Sequence, residues 1–146
     1  MFKKPSFILV IIGILFISYA TFGTPPAQLS LFDEMTTRSD VVLTGVCTSS
    51  TSRWDEQTRM ILTDSVFTVQ SYVKGRGKTA VSVTTPGGVL RAQNLMMTFP
   101  GMIEFAPGEE ALLFLTTNRE GAFEVYGRVS GTKQIQQVQR LIQQVN

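Results

Sequence analysis

Between residues 41 and 129 the apolar side chains recur with a period of two, interrupted at intervals by Gly and Pro. Only strands buried on one face carry that pattern over so long a stretch, so it limits the chain to a mainly β fold. Helical spacing is confined to the two ends. Leu29, Phe32 and Met35 precede the alternation, in a short helix predicted to end near Arg38, with Ser30 as its cap and Asp33 and Glu34 in its first turn. Ile135, Val138, Leu141, Ile142 and Val145 follow it on one face of a helix predicted over residues 134–145.

Within the alternating region, residues 41–48 form the first predicted strand, and the polar run 49–57, which contains Trp54, is read as the loop after it. Residues 59–73 form a long second strand. Ile61, Phe67, Val69 and Val73 share one parity while Leu62 and Val66 share the other, which predicts a bulge or bend in its middle. Val81 and Val83 point inward from a strand over 79–85, and Pro86-Gly87-Gly88 ends it. The stretch 90–99 holds a further strand, with turns at Pro100-Gly101 and Pro107-Gly108. Ala111-Leu112-Leu113-Phe114-Leu115 is a continuous apolar run and reads as a strand covered on both faces. Phe123, Val125 and Val129 alternate with Glu124 and Arg128 in the last strand. The expected architecture is a small five- to six-stranded antiparallel Greek-key barrel of the oligonucleotide/oligosaccharide-binding type, with one helix before it and one after; a β-sandwich is the main rival.

The first twenty residues set the compartment. Lys3 and Lys4 precede an unbroken apolar run over residues 7–17, and Ser18-Tyr19-Ala20 places small side chains where signal peptidase cuts. The run is short of the ~20 apolar residues that a spanning helix needs. We therefore expect a signal peptide over 1–20, cleavage after Ala20, no stable membrane anchor thereafter, and a secreted or periplasmic product. Residues 21–28, with Pro25-Pro26, read as an extended leader, and 29–146 as one domain.

Lys3 and Lys4 are the only charges in that segment, so the remaining 11 basic residues balance 11 acidic ones. A mature chain with no net charge lacks the excess cation that non-specific nucleic-acid binding requires. The chain contains no His and one Cys. Imidazole-based triads and zinc sites are thereby removed, and no metal or cofactor is expected. Cys47 falls within the alternation of Val41, Leu43 and Gly45, which predicts burial rather than pairing between chains.

Two motif fragments carry little chemistry. Gly77-Lys78-Thr79 resembles the tail of a phosphate-binding loop, but Tyr72 stands where the first glycine belongs and a strand follows. Ser71 and Lys74 have the spacing of a serine–lysine acyltransferase pair, yet on an extended segment positions three apart face opposite ways. The neighbours Asp55-Glu56 and Glu109-Glu110 likewise point apart, and Asp64 is expected to face solvent. No residue is assigned a catalytic role. Met96, Met97, Phe99 and Met102 gather around Pro100-Gly101, either as an adaptable partner-binding patch or as a plug in one end of the barrel. Trp54, beside Arg53, is the other candidate contact.

Asp40-Val41-Val42, the long second strand ending at Lys74-Gly75, Gly87-Gly88, Phe105-Ala106-Pro107-Gly108-Glu109 and Leu112-Leu113-Phe114-Leu115 together resemble netrin-type modules. That family includes the inhibitory domain of the tissue inhibitors of metalloproteinases. The resemblance implies a secreted barrel of the oligonucleotide-binding type that binds proteins rather than catalysing a reaction. The metalloproteinase inhibitors begin with a cysteine whose amine chelates the protease zinc. Here the expected new N-terminus is Thr21, so no inhibitory residue carries over. The expected function is an exported, non-catalytic module that binds another protein, protease- or envelope-associated. The alternatives are a hydrolase or acyltransferase using Ser71 and Lys74, and a self-associating envelope protein.

Overall fold

A computed structural model of the chain describes residues 26–145. The expected signal peptide, its cleavage point at Ala20 and residues 21–25 of the leader lie outside the described residues, as do the side chains of Leu29 and Val145. Helix α1 spans Pro26–Arg38, seven strands follow, and helix α2 (Thr132–Val145) ends the fold. The strands are β1 (Val41–Asp55), β2 (Met60–Lys74), β3 (Ala80–Pro86), β4 (Gly88–Leu90), β5 (Leu95–Met97), β6 (Glu110–Thr117) and β7 (Phe123–Ser130). Five of them close a barrel in the order β1-β2-β3-β7-β6, while β4 and β5 form a separate two-stranded hairpin.

Every barrel pairing is antiparallel except one. β3 and β7 run parallel and share only two register pairs, Val83↔Phe123 and Thr84↔Glu124. The all-antiparallel expectation is corrected at this seam. Two strands so distant in sequence carry no local signal of direction, and the connection through β4, β5 and β6 brings β7 back alongside β3 in the same sense.

The barrel interior is filled from β1, β2, β3 and β6 by Leu43, Cys47, Phe67, Val81, Val83, Ala111, Leu113 and Leu115, with Phe123 and Val125 of β7 packed against them. Phe105, from the loop between β5 and β6, enters the same core and meets Phe67 edge to face at 4.9 Å between centroids. Leu112 and Phe114 point the other way, toward a second core with Val42, Ile135, Val138 and Ile142. β6 is thus covered on both faces, as its unbroken apolar run predicts. The apolar face of α2 and Phe32 and Met35 of α1 supply the outer cover.

Four local expectations are corrected. Pro26 is the first residue of α1, where its missing N–H is no loss, so Pro26, Ala27 and Gln28 are helical rather than extended. Ser30 then lies inside the helix, its hydroxyl donating to the Ala27 carbonyl at 2.9 Å, and the first turn holds no acid. β1 does not stop at Thr48 but runs on to Asp55, because its polar residues pair across the ribbon: the Ser50 and Ser65 hydroxyls meet at 3.1 Å and those of Ser52 and Thr63 at 2.8 Å. Only residues 56–59 turn the chain. Finally, Val129 does not share the inward face of Phe123 and Val125. A register shift in the β6–β7 pairing leaves Tyr126 without a partner, after which Val129 faces the helices.

The expected bend is present and distributed. Thr48 of β1 and Gln70 and Val73 of β2 have no Cα partner in the β1–β2 pairing, so the ribbon shifts register three times as it curls around the barrel. Gly45 sits at one of these shifts, where a side chain would run into the Thr68 carbonyl.

Candidate functional site

An open cleft of about 830 Å³ lies on the barrel wall that includes the seam between β3 and β7. One side is the end of the β1–β2 ribbon, with Arg53, Asp55, Gln57, Thr58 and Leu62. The opposite side is the β6–β7 hairpin, with Asn118, Arg119, Glu120 and Ala122. Thr84, Thr85 and Pro86 of β3 and Phe123, Glu124 and Val125 of β7 contribute the strands of the seam, and the loop from Phe99 to Ile103 closes an apolar flank.

The ribbon side is held in a fixed arrangement. Arg53 donates through Nε to Asp64 at 2.7 Å and through Nη1 to Asp55 at 3.1 Å. Asp64 also accepts the Thr84 hydroxyl at 2.6 Å, which ties β2 to β3. Asp55 accepts both the hydroxyl and the backbone N–H of Thr58, at 2.6 and 2.9 Å. Those two bonds, reinforced by Arg53, hold the Asp55 carboxyl below its ordinary range. Arg53 is in turn held more firmly protonated by Asp64 and Asp55. Asp64, expected to face water alone, is instead half-buried and ion-paired.

The hairpin side is looser. The Asn118 side-chain carbonyl accepts the backbone N–H groups of Glu120 and Ala122, which shapes the turn, and its amide reaches Glu124 at 3.3 Å. Among the described residues, the side chains of Arg119 and Glu120 make no ion pair or hydrogen bond, and both are exposed.

The residues singled out from the sequence divide. Phe99 and Met102 line the cleft, whereas Trp54, Met96 and Met97 do not. Trp54 is not in a loop: it lies in β1 opposite Ile61 and is half-buried. Met97 is half-buried opposite Gly88, and Met102 packs on Gly87. Met96 stands opposite Val89 with 68% of its surface exposed, and Leu95 and Phe99 are exposed beside it. The hairpin β4–β5 therefore presents the paired Val89 and Met96 outward, Leu95 is exposed on the alternate side, and Phe99 of the cleft's flank follows β5 by two residues. The sequence pointed to the Met/Phe cluster but not to Arg53, Thr84, Asn118 or Glu124, which are ordinary polar residues of strands and hairpin ends until the barrel closes.

Ser71 and Lys74 are not brought together. The Ser71 hydroxyl bonds to that of Thr44 at 2.7 Å, while Lys74 Nζ donates to the carbonyls of Thr36, Thr37 and Ser39 at 2.8, 3.3 and 2.6 Å. The adjacent carboxylates Glu109 and Glu110 also divide. Glu109 accepts Arg128 and Ser130, and Glu110 accepts Thr132. Cys47 is buried, with its thiol pushed up by desolvation. No cluster of metal-ligating side chains occurs among the described residues, and none of their helices is long and apolar enough to cross a membrane. Compared with known proteins, the chain matches no family model and no curated protein.

Proposed function

We propose that the chain is an exported, non-catalytic binding module that holds an extended segment of another protein in the cleft and across the β4–β5 hairpin. The observation that carries this is the exposed apolar surface at the cleft's flank. Phe99 lines the cleft and is exposed, and it follows by two residues the β4–β5 hairpin, whose Val89, Leu95 and Met96 are also exposed. Exposed apolar side chains beside polar groups are the composition of a protein-recognition site.

Three further points support the reading. The ring order β1-β2-β3-β7-β6, with its one parallel seam, suits a barrel of the oligonucleotide/oligosaccharide-binding type. Such barrels take ligands on the face of their second and third strands, between the loop joining strands one and two and the loop joining strands four and five. The corresponding loops here, 56–59 and 118–122, bound the cleft. The zero net charge expected of the processed chain favours a polypeptide over a nucleic acid. The separate engagements of Ser71 and Lys74 favour binding over acyl transfer.

Photocrosslinking tests the proposal. With benzoylphenylalanine in place of Phe99, irradiation in the producing cells is expected to give an adduct with another protein. The adduct should disappear when Met96 is also replaced by Asp, a change that an exposed position tolerates. The same probe at Tyr126, itself 42% exposed but away from the cleft lining, should give none. An adduct at Tyr126 but not at Phe99, or one indifferent to Met96→Asp, overturns the proposal.

A further inference from the structure

The arrangement around Arg53 bears on what kind of segment the cleft takes, given that it takes a polypeptide. A guanidinium has five N–H donors in a planar fork. Arg53 commits its Nε to Asp64 and one Nη1 hydrogen to Asp55, which fixes the plane of the fork and leaves the Nη2 hydrogens and the second Nη1 hydrogen uncommitted. The side chain is 48% exposed and lines the cleft. A fork already immobilised loses little further freedom when a ligand arrives.

Charge decides which acceptor suits it. Arg53 is one cation between two carboxylates, so the ensemble of Arg53, Asp55 and Asp64 carries a net negative charge. Across the cleft, Arg119 is outnumbered by Glu120 and Glu124. A ligand carboxylate would gain hydrogen bonds from Arg53 but meet negative surroundings on both sides, whereas a neutral carbonyl gains the same bonds without the repulsion. A cationic ligand side chain is attracted by the same surplus.

We infer that Arg53 grips a main-chain carbonyl of the bound segment, and that the cleft prefers a basic residue in that segment and discriminates against an acidic one. An apolar residue two positions before the basic one lies against Phe99 and Ile103 on the cleft's apolar flank.

Fluorescence anisotropy with three end-blocked, fluorescein-labelled peptides, Gly-Phe-Gly-X-Gly with X as Lys, Gln or Glu, tests this on the full chain. The expected order is Lys tightest and Glu weakest, with about a fivefold span or more at low salt that shrinks at high salt as surface charges are screened. Arg53→Lys keeps the charge but loses the fork, and should weaken all three peptides alike. Glu124→Gln, at an exposed position, should narrow the span between the Lys and Glu peptides. Circular dichroism confirms that each variant is folded. Equal binding of the Lys and Glu peptides, or an Arg53→Lys effect confined to the Glu peptide, overturns the inference and leaves the polypeptide reading standing. Failure of all three peptides to bind overturns both.

Discussion

Removing the ammonium group of Lys74 would leave three carbonyls at the end of α1 without their shared donor. Those carbonyls belong to the last turn and the residue after it, where helical partners run out and a cation is favoured. Lys74→Met is therefore expected to cost about 1–3 kcal/mol, read as a lower urea midpoint with an unchanged slope. Cys47 makes a second prediction at this scale. Burial raises its thiol pKa; backbone hydrogen bonding at Ser49 opposes this in part, and the nearby Glu109 charge adds a smaller increase. The folded state then holds its proton to a higher pH than the unfolded chain does. The associated stability is complete below the unfolded value and is lost as pH rises through that value toward the folded one. Between pH 7 and pH 10 the wild type should lose more thermal stability than Cys47→Ala, and the thiol should resist disulfide reagents until the chain unfolds.

Among the elements, the β4–β5 hairpin depends on one residue that cannot acquire a side chain. Gly88 has φ +138°, and a Cβ there would meet the hydroxyls of Ser52 and Thr63 on the ribbon beneath. Gly88→Ala should destabilise the domain by about 1–3 kcal/mol and lift the hairpin, measurable as faster amide exchange at residues 88–97. The same contact explains why the second half of β1 was hard to read. Ser50 and Ser52 look like loop residues, yet they are strand residues paired through hydroxyls, with Gly88 lying on Ser52. Other elements were plain in the residues. The five apolar residues from Ala111 to Leu115 announce a strand covered twice, and the spacing of Ile135, Val138 and Ile142 announces the helix that covers one side of it. Phe114, fully buried beneath α1 and α2 and stacked at 6.5 Å from Phe32, should cost about 3–5 kcal/mol when cut to Ala.

At the scale of the whole molecule, the closing contact is the shortest. β2 and β3 share seven register pairs and β6 and β7 share seven, but β3 and β7 share two. Beyond those two pairs, the segment from Met102 to Ala106 helps fill the barrel: Ile103 and Phe105 pack in the core, and Arg128 lies 5.4 Å over the Phe105 ring while donating to the Glu104 carbonyl. Neither the parallel seam nor the cleft beside it could be read from a period of two, because both arise from residues far apart in sequence that meet only on closure. The Met/Phe cluster was legible as a group but not in its division. Alternation along β5 turns Met96 outward and Met97 partly inward, and Gly87 leaves room for Met102.

The central claim is that this cleft is where the chain meets its partner. A backbone-amide NMR titration of the chain with the lysine-bearing blocked peptide tests it most directly. The account predicts saturable shifts at residues 53–58, 84–85, 96–99, 101–103 and 118–125, with the helix α2 amides of Val138 and Leu141 unmoved. Shifts centred on α1 and α2, or none in the cleft at saturating peptide, would contradict it.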